Sequence, residues 1–311
     1  MRIVPLYLSL LTALFILSSS AYPKPEKSER DLYTITHLRH TLYLFDTKID
    51  LSRDDIKERF EREFFQFLDK RGLLYIIVKR YFQYRRLIEE EIKRIGLHHD
   101  LIYLVIAESY LNPRAVSKAE AQGLWQFIKE TGKQEGLIIN DTIDERYDIV
   151  RSTQIALLHL KKLHEEFKDW FLACAAYNAG LKRVKEAIQN QNTKDFFDLY
   201  LPEETERYIF RIVALKEIFE NRERYGIKVD EKDGYKELSI DSITIRLDKE
   251  LHTSILASSM GLPYRAFRYL NLHMRKYSLP KGTYNVYFPR EKREFFLKNL
   301  RSIPHISIEE K

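Results

Sequence analysis

Between Leu32 and Leu97 the apolar residues recur at the spacing of an α-helix. Ile56, Phe60, Phe64 and Leu68 stand four apart, and Leu73, Ile77, Tyr81, Tyr84 and Ile88 resume the pattern after Gly72. A period near that of the α-helix gathers these side chains into one stripe, which must be buried against a neighbouring element, so the whole span predicts packed helices. Arg85, Arg86, Glu89, Glu90, Glu91, Lys93 and Arg94 fall on the other face and read as solvated helix surface. Ten Gly and nine Pro in 311 residues are too few for a collagenous, linker-rich or sandwich-dominated chain, and 44% hydrophobic residues exclude wholesale disorder. The fold class is therefore mainly α.

A single cysteine, Cys174, excludes an intrachain disulfide and any multi-cysteine zinc or iron–sulfur site, and its apolar neighbours make it a small buried hydrophobe rather than a nucleophile. A net charge of +6, from 52 basic and 46 acidic residues, suits an anionic partner but lacks the concentrated charge of a nucleic-acid-binding tail.

The first residues read as an export signal: Arg2, an apolar run from Ile3 to Leu17, then small residues ending at Ala21. Cleavage after Ala21 is the expectation. An uncleaved membrane anchor is the alternative, although the apolar part is short for a bilayer core of about 30 Å. No cysteine stands there for lipid attachment.

Further helical runs are read at 100–111, 120–132, 152–167, 170–177, 181–190 and 203–224, each ended by breakers. Asn112-Pro113 stops the first, because a residue before proline is pushed out of the α region, and Ser152 reads as an N-cap. The texture changes after Gly226, where the charged stretch from Lys228 to Gly234 marks a boundary. Beyond it Ile243, Ile245 and Leu247 alternate as in a strand, two short helices follow at 249–260 and 263–271, and Tyr284, Val286 and Phe288 make a second strand. The order is β-α-α-β. The chain divides into a signal at 1–21, an N-terminal helical region at 22–97, a helical domain at 98–226 and a small α+β domain at 235–300.

Glu108 is the residue that most invites a chemical reading. Its helical neighbours at minus three, minus four and minus seven are Val105, Leu104 and Leu101, so a carboxylate is aimed where hydrocarbon belongs. An unpaired ionised Glu there costs several kcal/mol, so such a residue is either paired or kept for its protonated form. Snorkelling at the helix end, or a salt bridge to Arg114, are the bland alternatives. Desolvation would raise the carboxyl pKa toward that of a general acid. Gly123-Leu124-Trp125-Gln126-Phe127 sets an aromatic and an amide where a Gly lets backbone approach closely, as in a sugar site or equally a helix start with a core Trp. Ala175-Ala176-Tyr177-Asn178-Ala179-Gly180 is a helix end that offers two hydrogen-bonding side chains.

Taken in order, these segments resemble the lysozyme-like lytic transglycosylases of bacterial cell walls, nearest to the membrane-bound lytic murein transglycosylase D type. Glu108-Ser109 resembles the family's Glu-Ser pair, and Asn112-Pro113 with Ser117 follows at the family's spacing. Gly123 to Phe127, the run Asp144-Glu145-Arg146-Tyr147-Asp148, Ala176 to Gly180, and Glu206-Arg207-Tyr208 complete the series. Ile149 stands where relatives carry a Pro after the Asp, and Phe210 where a Pro is common after the Tyr.

The resemblance implies a lysozyme-like helical catalytic domain in which Glu108 is the one catalytic carboxylate. It would protonate the oxygen between N-acetylmuramic acid and N-acetylglucosamine, then take the proton of the muramic C6 hydroxyl as that oxygen closes a 1,6-anhydro ring. Ser109, Ser117, Gln126, Tyr177, Asn178 and Tyr208 are the implied substrate-site residues. No cofactor is implied. The implied partner is the peptidoglycan glycan strand, not nucleic acid, in the periplasm or cell envelope, with membrane association left open. The C-terminal unit resembles a LysM-like carbohydrate-binding module in element order and length, without signature residues.

His98-His99-Asp100 and the pair His159 and His164 are the candidate metal ligands, and no such site is expected, since the latter pair points to different helix faces with nothing to complete a chelate. Two rival functions remain: a muramidase hydrolase, which needs a second acid and a positioned water, and a non-catalytic peptidoglycan-binding scaffold, which would have no need of Glu108.

Overall fold

The computed structural model describes residues 41–309. The signal and the residues up to 40 lie outside that range. In chain order come strands β1 (Thr41–Leu44) and β2 (Thr47–Asp50), and helices α1 (Asp54–Asp69), α2 (Arg71–Ile95), α3 (Leu101–Ser109), α4 (Lys129–Gln134), α5 (Ile149–Phe167), α6 (Trp170–Ala179), α7 (Leu181–Gln191) and α8 (Glu203–Glu220). The C-terminal part holds β3 (Ile240–Leu247), β4 (Leu251–His252), α9 (Thr253–Ser259), α10 (Tyr264–Leu270), β5 (Ser278–Leu279), β6 (Gly282–Pro289), α11 (Arg293–Leu300) and β7 (Ile306–Glu309). The described residues are thus mainly α, with a small α+β unit at the end.

Periodicity located α1 and α2 correctly. Phe60 and Phe64 on α1 are fully buried, and α1 packs along α8. Each such ring contributes about 1.5–3 kcal/mol of burial. The long helix α8 also covers α3 and α6, so it runs through the middle of the helical part.

The start of the expected helical run is a hairpin instead. β1 pairs antiparallel with β2, Leu44 opposite Thr47, and Phe45 and Asp46 turn the chain at φ 52° and 58°. Two successive positive φ values are the mark of a type I′ turn, which favours Asn-Gly. Tertiary contacts impose it here. The Phe45 ring stacks on Trp170 at 5.1 Å, and its N–H donates to Asp100 Oδ2 at 2.7 Å. Lys216 on α8 reaches the same oxygen at 2.7 Å, so the buried Asp100 ties hairpin, α3 and α8 together.

Residues 120–132, expected as helix, become helical only at Lys129. Glu120, Gly123 and Gln126 have φ of 58°, 83° and 50°, which no helix tolerates. A Cβ at Gly123 would lie 1.8 Å from the carbonyl oxygen of Arg146, so only glycine fits there. Ser152 is not an N-cap. Asp148 caps α5, its carboxylate accepting from the N–H groups of Val150 and Arg151 at 3.0 and 2.9 Å, while Ser152 Oγ bonds back to the Asp148 carbonyl.

In the C-terminal unit, β3 is the centre of an antiparallel sheet of order β6-β3-β7, with Ile243 opposite Val286. The β-α-α-β order is present, and α11 and β7 extend it. Residues 249–252, expected as helix, are not helical, and Leu251–His252 form β4, which pairs with β5. The unit is sewn to the helical part. The N–H of Asp144 donates to the His273 carbonyl at 2.8 Å and that of Arg275 to the Thr142 carbonyl at 2.7 Å, while Ile143 is buried in the C-terminal core.

Candidate active site

On α3, Leu101, Ile102, Leu104, Val105, Ile106 and Ala107 are all buried, and Glu108 sits at the last turn, partly open to solvent. Tyr110 and Leu111 follow at φ 53° and 52° and end the helix, the Tyr110 N–H bonding the Ile106 carbonyl at 2.8 Å. Arg80 of α2 caps the exit by donating to the Tyr110 carbonyl at 3.0 Å. The carboxyl of Glu108 is held from the other side. The Tyr208 hydroxyl donates to its Oε1 at 2.5 Å, linking α3 to α8 across a hundred residues of sequence.

Burial raises the Glu108 pKa from 4.5 to about 7; the Tyr208 hydrogen bond and the charge of Arg211 pull it down, and the charge of Glu204 pushes it up. The salt bridge to Arg114 is absent: among the described residues Glu108 makes no ion pair, and Arg114 turns away to Tyr269 at 3.4 Å. Burial outweighs the hydrogen bond, so the group can hold its proton near neutral pH.

Tyr208 is buried, and desolvation keeps its phenol, like that of Tyr177, well above its usual pKa. The charge of Glu108 adds to both shifts. Tyr177, near the end of α6, donates to the carbonyl of Trp125 at 2.7 Å. It thereby fixes the loop that carries Gln126, whose Nε2 is itself bonded to the carbonyls of Gly123 at 2.7 Å and Ala115 at 3.3 Å. Asn178 Oδ1 accepts from Thr205 of α8 at 2.9 Å, three residues before Tyr208. Glu108, Tyr208, Tyr177 and the Gln126 loop are therefore brought together, with Asn178 tying α6 to α8 beside them.

The other predicted residues lie as follows. Ser117 sits at an exposed turn where its Oγ accepts from Ala119 and Ala121 N–H groups at 3.2 and 3.0 Å. Ser109 is buried beside Glu108, its Oγ without a partner among the described residues. Trp125 is core: fully buried, its Nε1 donates to Thr153 at 2.9 Å. The run Asp144 to Asp148 is a clamp. Arg146 grips Asp144 through two bonds of 3.0 and 2.7 Å and reaches the Glu120 carbonyl at 3.2 Å, pinning the Gln126 loop. Ile149 is the first residue of α5, a position where proline is equally at home, so its presence leaves the helix start intact. Phe210 is buried within an unbroken α8.

Sequence reasoning passed over Glu63. It lies on the apolar face of α1 between Phe60 and Phe64, 3% exposed, and accepts from Arg207 at 2.5 Å and Arg211 at 3.5 Å. Both arginines flank Tyr208 on α8, so this carboxylate fixes the helix that presents the phenol. The same signal that marked Glu108, an acid on a hydrocarbon stripe, was available for it. Among the described residues His98, His99 and Asp100 could offer ligand atoms lying within 4.8 Å of one another, but Asp100 is already engaged by Lys216 and Phe45. His159 instead faces Glu135 at 3.1 Å, and His164 stacks on Trp170. Cys174 is buried and burial pushes its thiol up, as a packing residue requires.

Residues 86–199 match the family described as Transglycosylase SLT domain. Glu108, Gln126, Tyr177 and Asn178 fall within the matched stretch, and Tyr208 lies beyond its end. The chain is 30% identical over 255 residues to membrane-bound lytic murein transglycosylase D of Escherichia coli K12, and equally to that of strain CFT073, covering 80% of this chain and 55% of either relative. It thus spans about half the length of these curated relatives. A solved structure of an inactive mutant of the lytic transglycosylase Slt from Pseudomonas aeruginosa is 24% identical, with a TM-score of 0.37, over 50% of this chain and 26% of that one. No helix among the described residues is long and apolar enough to cross a membrane.

Proposed function

We propose that this chain is a cell-envelope lytic transglycosylase that cleaves the β-1,4 bond between N-acetylmuramic acid and N-acetylglucosamine in peptidoglycan and leaves 1,6-anhydro ends. The observation that carries the reading is Glu108: a carboxyl on an apolar helix face, bonded to Tyr208 and with a pKa raised to about 7. A group so poised can donate its proton to the glycosidic oxygen at neutral pH. The carboxylate left behind is then the base for the C6 hydroxyl, whose oxygen attacks C1 while the proton returns to Glu108. Atoms balance without water.

Tyr208 orients the carboxyl and steadies it while charged, and Tyr177 and Gln126 form the polar wall that receives sugar, with Ser109, Ser117 and Asn178 in supporting positions. The C-terminal α+β unit adds retention on the wall. The name of the Escherichia coli relatives and the SLT match support this reading, including an envelope location.

One observation favours a second reading. Glu204, exposed on the first turn of α8, exerts its charge on Glu108 and could serve as the second acid of a hydrolytic muramidase. Mass spectrometry of muropeptides released from purified sacculi decides between them. Anhydro-muramic ends are expected; reducing ends, heavier by one water, would overturn the transglycosylase reading in favour of hydrolysis.

A further inference from the structure

The segment that leaves α3 and the helix α10 with its following loop enclose a groove of about 500 Å³. Arg114, Arg265, Arg268 and Arg275 line it, with Tyr147 and Tyr269 between them, and its lining holds no carboxylate. None of the four guanidinium groups forms an ion pair among the described residues. Arg114 and Arg265 both donate to the single phenol oxygen of Tyr269, at 3.4 and 3.3 Å, and Arg275 lies over the Tyr147 ring at 4.3 Å. The positive field is felt locally: the Arg114 hydrogen bond, then the Arg265 charge, hold the Tyr269 phenol below its usual pKa.

Four like charges gathered without a counter-charge repel one another, and planar guanidinium groups are suited to paired bonds with carboxylates. The walls are also fixed rather than trailing. Arg275 is anchored through its N–H to the Thr142 carbonyl at 2.7 Å. The carbonyl of Ala115, next to Arg114, is bonded by Gly123 N–H at 3.0 Å and by Gln126 at 3.3 Å. One wall of the groove is therefore continuous, through Arg114 to Ser109, with the helix that carries Glu108.

We propose that this four-arginine groove binds the carboxylates of a peptide attached to the glycan being cut, so that the chain reads peptide-bearing strands in preference to bare ones. The proposal rests on the reading of the Glu108 site as one that takes peptidoglycan. A groove of this volume suits a few amino-acid residues rather than an extended polymer, and one of its walls continues the segment that leaves the Glu108 helix.

The test uses the full chain carrying Glu108→Gln, so that strands are bound and not cut, and measures equilibrium binding to peptide-bearing glycan strands and to the same strands stripped of peptide by an amidase. Peptide-bearing strands are expected to bind about tenfold more tightly or better at low salt, the advantage shrinking as ionic strength rises. Arg265→Glu with Arg268→Glu should abolish the advantage, and Arg265→Lys with Arg268→Lys should keep part of it. Equal binding of both kinds of strand to the arginine-intact protein would overturn the proposal, whatever the fate of the reversed variant. So would an unchanged advantage in a folded reversed variant, or tighter capture by phosphatidylglycerol vesicles that the same reversal removes. Anhydro-end release by the unsubstituted chain is scored separately: its loss overturns the reaction, whereas loss of the peptide preference overturns the groove.

Discussion

Replacing Glu108 by Gln should make the protein inactive and, above neutral pH, more stable. The folded carboxyl holds its proton with a pKa of about 7 against an ordinary 4.5, so between those values the native state binds more protons than the unfolded chain. Stability from this group is therefore unaffected below about pH 4.5, declines as pH rises to about 7, and is fully lost beyond it. A pKa difference of this size corresponds to about 3 kcal/mol, and water reaching the partly exposed carboxyl reduces it to about 1–3 kcal/mol. Gln keeps the shape, and its own Oε1 can still accept from Tyr208, but it never charges. At about pH 8 the variant should unfold later by about 2–4 °C for each kcal/mol relieved, whereas at about pH 4 the two proteins should agree within about 1 °C. Thermal unfolding followed by circular dichroism at several pH values reads this directly. A Tm difference that does not change with pH would mean that Glu108 titrates at an ordinary value, and the argument from burial would fall with it.

Activity should follow the same group. With Glu108 as the acid, kcat/KM declines as pH rises through about 7. Tyr208→Phe removes the hydrogen bond that lowers this pKa, so the inflection should move to higher pH while the rate falls about five- to hundredfold, as loss of about 1–3 kcal/mol predicts; a profile superimposable on the parent would remove Tyr208 from the site. Arg146→Met leaves Asp144 buried without its partner and should cost about 3–5 kcal/mol in denaturant unfolding; a change below about 1 kcal/mol would show that the clamp on the Gln126 loop is not needed. Truncation after Gly226 uncovers Ile143 and breaks the backbone bonds at Asp144 and Arg275, so the shortened chain should melt well below the full one, and an unchanged Tm would contradict the sewn boundary seen at residues 142–144.

Helix positions were legible where one stripe of side chains carried the information. Ile56, Phe60, Phe64 and Leu68 announce α1 because a 3.6-residue period has a single physical cause. Glu108 was legible for the complementary reason, as a charge where the stripe demands hydrocarbon, and Glu63 would have been found by the same test. The hairpin at 41–50 and the loop at 120–128 were not legible. Phe45, Asp46 and Gln126 adopt left-handed backbone that their own side chains disfavour, held there by Trp170, Asp100, Arg146 and Tyr177 from elsewhere in the chain. Local sequence therefore determined where the striped helices such as α1 run and which acid is out of place. What that acid touches was decided by tertiary packing alone, because the bond from Tyr208 to Glu108 joins residues a hundred apart, and only the crossing of α8 over α3, with Glu63 holding the arginines beside Tyr208, brings the phenol and the carboxyl within 2.5 Å.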